Sequence, residues 1–245
     1  MYTFKSRVRY SETDYNNRMT PTSIINYFQD SSNFQSDDLG VGIAHLQEKQ
    51  RAWILCSWQL EIHRYPKINE IITIGTWPYA FKGMYGYRNF IMYDEDQQVV
   101  AVANTIWALM DTQTQRPAKI LDTDTYAYVI EPPYDMEYVD RKLPIPEDLT
   151  SCEAFTVTRS CLDMFQHVNN GQYVRIAQDY IGTEDKIYQV CADYRKTAHL
   201  GDTLYPYLCK DANCYTVILA NQEQQPYAII RFKIDETANK ERNPI

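Results

Sequence analysis

The strongest constraint on this 245-residue chain is an order of elements that occurs twice. Near the start, Tyr2, Phe4, Ser6, Val8 and Tyr10 alternate with Thr3, Lys5, Arg7 and Arg9, the period of two of a half-buried strand. A turn through Asp14-Tyr15-Asn16-Asn17 follows, and Thr20-Pro21 reads as helix cap and first helical position. Ile24, Tyr27, Phe28, Ser31 and Gln35 recur at spacings of three and four, which predicts a helix from about Pro21 to about Leu39. Its inner face becomes small further along (Ser31, Ser32), so it can lie close to a sheet. Gly40-Val41-Gly42 ends it, a short helical stretch follows over 44–50, and strand-like runs come at 52–63, 70–81, 85–93 and 99–110. The second half repeats the order. A strand-like run at 153–160 leads to a turn over 163–170. Helical spacing follows at Tyr173, Ile176, Ala177, Tyr180 and Ile181, then strand-like runs at 186–196, 202–209, 214–220 and 226–234.

The halves can be laid on one another. Asp14 to Asp30 falls on Asp163 to Asp179 at an offset of 149, Glu61–Arg64 on Asp193–Lys196 at 132, and Asp96-Gln97-Gln98 on Glu223-Gln224-Gln225 at 127. Falling offsets mean shorter loops in the second copy, and the shared order marks an internal repeat. One helix and one antiparallel sheet per half is an α+β layout. Residues 113–150 break the pattern with Pro117, Pro132, Pro133, Pro144 and Pro146 and read as a linker. The expected organisation is a first domain at 1–112, a linker at 113–150, a second domain at 151–236 and a tail at 237–245.

Charge and cysteine usage narrow the function. A net charge of −8 argues against nucleic acid as a partner, which needs clustered Lys and Arg. Local basic stretches remain at Lys5, Arg7 and Arg9, at Arg141-Lys142 and at Arg195-Lys196. The six cysteines form no CxxC pair, so no metal or redox motif is expected. Met1–Arg7 lacks the apolar core of a signal peptide, and no apolar run approaches the ~20 residues that span a bilayer. No membrane association and a cytoplasmic location are expected.

The stretch richest in chemistry is Asp163-Met164-Phe165-Gln166-His167-Val168-Asn169-Asn170-Gly171-Gln172-Tyr173. It sets an acid, an imidazole and two amides at the start of a helix, where unpaired N–H groups and the dipole favour developing negative charge. Asp163 is a candidate to orient or activate water or to hold His167. His167 is a candidate base or oxygen donor, and Asn169 a helix cap or substrate-positioning group. Asp and Asn are also ordinary turn and cap residues, and a lone histidine is more often structural.

Asp-x-x-x-His-Val-Asn-Asn-x-x-Tyr resembles the signature of hotdog thioesterases, and in context that of the acyl-acyl carrier protein (acyl-ACP) thioesterases of plants and their bacterial relatives. Tyr10-Ser11-Glu12-Thr13-Asp14 and Ile24–Asp30 are similar to the N-terminal half of bacterial members, and Asp193–Lys196 to the plant Glu-Tyr-Arg-Arg segment. The resemblance implies a tandem double hotdog, each half a long helix wrapped by an antiparallel sheet. It implies hydrolysis of fatty acyl-ACP to free fatty acid, terminating fatty acid synthesis, with an acyl carrier protein as partner and no cofactor. It carries Asp163 and His167 over as catalytic. The plant motif's catalytic Asn falls on Phe165, and its downstream Glu-Cys pair on Thr197 and Ala198. A cysteine nucleophile at that position is excluded, water attack is left, and Thr197 remains a candidate to hold a water. Arg18 and Thr20 stand where His167 and Asn169 stand, so one site per chain is expected, in the second half. The alternatives are a hotdog acyl-CoA thioesterase and a non-catalytic acyl-binding protein. A monomer or a homodimer is compatible with an internal pseudo-dimer.

Overall fold

A computed structural model describes residues 1–182 and 186–235; position 236 and the expected tail at 237–245 lie outside the described residues. The chain divides into two compact units, Met1–Val139 and Asp140–Ile245. The boundary falls inside the Pro-rich segment at 113–150.

The first unit runs β1 (Tyr2–Arg7), α1 (Pro21–Asp38), α2 (Ile43–Glu48), β2 (Arg51–Ile62), β3 (Ile71–Lys82), β4 (Tyr85–Tyr93), β5 (Val99–Asp111), β6 (Arg116–Pro117) and α3 (Asp122–Thr125). Its sheet order is β1-β3-β4-β5-β2, with β6 returning along β5, and every pairing is antiparallel. The second unit runs β7 (Thr150–Ser151), β8 (Phe155–Thr156), α4 (Asn170–Asp179), β9 (Lys186–Tyr194), β10 (Thr203–Asp211), β11 (Cys214–Ala220) and β12 (Pro226–Asp235). Its order is β9-β12-β11-β10, with β7 and β8 on the outer edge of β10, again antiparallel. Substituting β9 for β2, β10 for β3, β11 for β4 and β12 for β5 turns one sheet order into the other. The α+β tandem layout is as expected.

The repeat extends to single hydrogen bonds. In the first unit Asp94 N–H donates to Gln98 O at 3.0 Å; in the second Asn221 N–H donates to Gln225 O at 3.0 Å, at the offset of 127. The turn residues Gln97 and Gln224 take the same left-handed φ, 59° and 60°.

Helix α1 buries Ile24, Ile25, Tyr27, Phe28, Ser31, Ser32 and Gln35. Phe28 stacks on Phe90 of β4 with centroids 5.3 Å apart, and Trp58 of β2 lies 5.2 Å from Phe90. Ser31 Oγ donates back to Phe28 O at 2.7 Å, so the small inner face leaves no unpaired hydroxyl. Helix α4 has 10 residues against 18 in α1. It stops at Asp179, and Gly182, with φ +58°, supplies the left-handed conformation that follows a helix end.

One expectation changes. The run at 153–160 is strand only at β8, which pairs with Thr203 and Leu204; β7 precedes it and pairs with Tyr207 and Leu208, and the ladder is broken opposite Pro206. Proline has no N–H to donate; its carbonyl accepts from Cys152 N–H at 2.9 Å instead. The segment at 113–150, read as a linker, is ordered in part against the first sheet. Buried side chains of the first sheet hold its main chain: Gln59 Nε2 donates to Glu137 O at 2.6 Å, Val139 N–H to Gln59 Oε1 at 2.8 Å, and Tyr134 N–H to Asn89 Oδ1 at 3.0 Å. Trp77 Nε1 donates to Pro132 O at 2.9 Å. Tyr134 and Met136 pack with Trp77, Ile91 and Val102. Ile91 follows Phe90 in the strand, so this segment covers the sheet face turned away from α1. Among the described residues, no helix is long and apolar enough to cross a membrane.

Candidate active site

Two loops of the second unit meet at the amino end of α4. The first runs from Asp163 to His167. Asp163 Oδ1 accepts from Phe165 N–H at 2.8 Å and from His167 N–H at 3.1 Å, and Asp163 N–H donates to His167 O at 2.7 Å. These bonds force Gln166 to φ +62°, a conformation that costs a non-glycine residue about 1 kcal/mol and that the surrounding bonds impose. The second loop follows β9. Val168 N–H donates to Ala198 O at 3.0 Å, and Ala198 N–H donates to the Tyr173 hydroxyl at 2.8 Å, which ties this loop to the first and to α4.

The carboxylate of Asp163 thus holds the backbone of His167, not its imidazole. The half-buried His167 side chain makes no hydrogen bond among the described residues. Its ring meets the ring of His199 edge to face, with centroids 5.0 Å apart and planes at 78°. Asn169 is the helix cap, its Oδ1 accepting from Gly171 N–H at 2.8 Å. The N–H of Asn170, first in the helix, has no partner among the described residues. Thr197 lies past the end of β9 at Tyr194, in the loop rather than on a strand, and its hydroxyl makes no hydrogen bond among the described residues. Its neighbour Ala198 is the point of attachment to Val168 and Tyr173. Phe165 is 47% exposed beside Met164 at 67%, so the position where the plant signature has an amide displays an apolar side chain.

The tyrosines at the base of the site belong to its frame. Tyr194 donates to Asn170 O at 2.8 Å, and its ring lies 5.7 Å from that of Tyr173. Burial pushes both phenols up, which keeps them protonated near neutral pH. Asn169 allows a direct stability test. Alanine there removes the cap and should cost about 1 kcal/mol in urea denaturation, while serine should recover most of it; equal stability of wild type and Asn169→Ala would refute the capping role.

His199 was not among the residues chosen from the sequence. Its distance of 32 positions from His167 hides the contact. A usable signal existed, because the offset of 132 lays His199 on Lys67. A histidine that replaces a lysine in a repeated loop stands out once the loops are compared.

Two family models match the chain: the acyl-ACP thioesterase N-terminal domain over residues 1–128 and the C-terminal domain over residues 146–240. Oleoyl-acyl carrier protein thioesterase 1 of Arabidopsis thaliana is 26% identical over 226 residues, covering 83% of this chain and 62% of that protein. Palmitoyl-acyl carrier protein thioesterase of Cuphea hookeriana is 27% identical over 137 residues, 53% of this chain and 33% of that protein. The chain therefore spans about three fifths or less of these curated relatives. Among solved structures, an acyl-ACP thioesterase from Bacteroides thetaiotaomicron VPI-5482 superposes with a TM-score of 0.88 at 20% identity, covering 95% of this chain and 97% of that one. The 12:0-ACP thioesterase from Umbellularia californica gives 0.81 at 16%, covering 96% of each. Both share this fold.

Proposed function

The chain belongs to the acyl-ACP thioesterase family, and from that premise we propose that it hydrolyses fatty acyl-ACP, releasing the fatty acid and the carrier thiol and so terminating fatty acid synthesis. The observation that supports this best is the state of His167. Its imidazole stands at the amino end of α4 without a protein hydrogen-bond partner among the described residues, while the groups that frame it are committed to one another.

Neutral His167 takes a proton from water as the water oxygen adds to the thioester carbonyl carbon. The carbonyl π electrons move to oxygen, where the Asn170 N–H and the positive end of the α4 dipole offset the charge. Asp163 Oδ2, free among the described residues, orients the water and stabilises the imidazolium. Collapse breaks the C–S bond, and the departing sulfur takes the proton from His167. Thr197, in the adjoining loop, is the remaining candidate to hold the water. Free-thiol release from lauroyl-, palmitoyl- and oleoyl-ACP and the matching acyl-CoAs tests the reading. Inertness toward every thioester would sink it, and faster cleavage of the CoA series would favour the acyl-CoA alternative.

The carrier protein is acidic, and the second unit offers it a basic surface. Leu143 N–H donates to the buried Asp193 carboxylate at 3.2 Å, and Leu143 O accepts from Arg195 at 2.8 Å. Arg141-Lys142 is thereby set beside Arg195-Lys196, which leads straight into Thr197 and His199. Lys142, Arg195 and Lys196 are exposed. Reversing charge in a Lys142→Glu, Lys196→Glu double variant should raise KM for acyl-ACP about tenfold, or ~1.4 kcal/mol, and leave kcat unchanged. Acyl-CoA should be hardly affected, and an equal rise for both substrates would refute carrier docking here.

A further inference from the structure

The two units build the same pair of loops from different residues, so each is a control for the other. In the first unit Asp14 Oδ1 accepts from Asn16 N–H at 2.8 Å and Arg18 N–H at 3.0 Å, and Asp14 N–H donates to Arg18 O at 2.8 Å. This is the Asp163 turn at the offset of 149, with Asn17 at φ 58° where Gln166 has 62°. Met19 N–H donates to Pro66 O at 2.8 Å as Val168 N–H does to Ala198 O. The second loops agree as well. Glu70 N–H donates to Lys67 O at 3.1 Å and Asp202 N–H to His199 O at 3.1 Å, with Asn69 and Gly201 both at positive φ. Asn69 N–H donates to Val8 O and Gly201 N–H to Val157 O, each at 3.0 Å.

What recurs is frame; what differs is chemistry. The turn displays Arg18 in one unit and His167 in the other. The second loop displays Lys67 in one and His199 in the other, and the residues of both pairs come together in each unit: an isolated bridge joins Arg18 and Lys67, and a ring contact joins His167 and His199. Subtracting the frame therefore leaves two imidazoles, not one.

We propose that His199 is a second catalytic residue of this site, its imidazole N–H donating to the thioester carbonyl oxygen while His167 acts on water. The inference rests on the thioesterase reading above. The turn has no side-chain donor where the plant signature has one, because that position is Phe165. His199 is exposed on a loop fixed by its own N–H to Asp202 at 2.9 Å, and its ring makes no hydrogen bond among the described residues, so its donor is free for a ligand. The edge-to-face contact keeps it beside the base without consuming a nitrogen of either ring. His199 stays neutral and keeps its proton throughout: it stabilises the oxygen as the π electrons arrive, while the proton taken from water travels through His167 to sulfur.

The test is steady-state thiol release from palmitoyl-ACP by wild type, His199→Ala, His199→Phe and His199→Gln, with thermal melts alongside. Loss of one oxyanion donor should lower kcat about 10²–10³-fold in the Ala and Phe variants, with little change in KM. Glutamine, which carries an amide N–H, should recover about tenfold or more of that loss. Phenylalanine keeps the aromatic contact with His167, so wild-type kcat in His199→Phe would reduce the residue to packing and overturn the proposal. Unchanged kcat in His199→Ala beside an active wild type would also overturn it and leave the hydrolase standing. A wild type inert toward every thioester would overturn both.

Discussion

Replacing His167 by alanine lowers kcat for acyl-ACP hydrolysis by about 10²–10⁴-fold, the contribution of a positioned general base, and leaves the fold intact. The two halves of that expectation have separate origins. The main chain of His167 is held through its N–H and C=O by Asp163, and the next residue by Ala198. None of these bonds involves the imidazole, so the turn survives its removal, and stability should stay within about 0.5 kcal/mol as for an ordinary partly exposed site. The expected loss of activity comes from the ring, the basic group of the turn left without a protein partner among the described residues. His167→Gln sharpens the result: it retains a donor but cannot take a proton, so it should be as impaired as alanine. Arg18→Ala, the equivalent change in the first unit, should leave kcat unaltered. Thiol release with melting curves for all three decides the matter, and full activity in His167→Ala would end the claim that this imidazole is the base.

Much of the frame was visible in the residues, and the limits of that visibility have physical causes. The helix at Pro21 was legible because Thr20 caps it through Ser23 N–H at 3.1 Å and proline costs nothing at the first position. The three offsets were legible because a repeated chain must repeat its turns, and Asn17 with Gln166, Gln97 with Gln224 and Asn69 with Gly201 do so in the left-handed φ as well as in place. The path of 132–139 was not legible, since it is fixed by Gln59, Asn89 and Trp77 reaching from strands to a main chain that carries no periodicity of its own. The split between β7 and β8 follows from Pro206 in the partner strand, a cause that lies some fifty residues from its effect. The strand-like run read at 186–196 ends two residues sooner, at Tyr194, whose hydroxyl turns inward to Asn170 O, and Thr197 follows in the loop. His199 escaped because its partner is brought to it by loop packing, and a site assembled from two loops has no signature in either.

The same duplication separates what Asp163 does for the fold from what it does for the reaction. Asp14 makes the same two bonds to backbone N–H groups in a turn that carries Arg18 in place of an imidazole, so those bonds are structural in origin. Asp14→Ala and Asp163→Ala should each lower stability by about 1–2 kcal/mol, the worth of charge-assisted hydrogen bonds on a partly exposed turn. Asp163→Asn keeps a side-chain oxygen where Oδ1 is and can accept from both Phe165 and His167, so its melt should lie close to that of wild type. What asparagine lacks is the negative charge, and in this unit the second carboxylate oxygen shares a turn with the group that becomes an imidazolium. Opposite charges that share a turn attract one another. Loss of that charge should lower kcat by about 10²-fold or more, as removal of an acid–base partner does, while Asp14→Asn changes neither activity nor stability. The informative comparison is therefore between the two asparagine variants under one assay: a stable, slow Asp163→Asn makes the carboxylate part of the chemistry, whereas a stable, fully active one makes it the same turn-former that Asp14 is and leaves the reaction to the histidines.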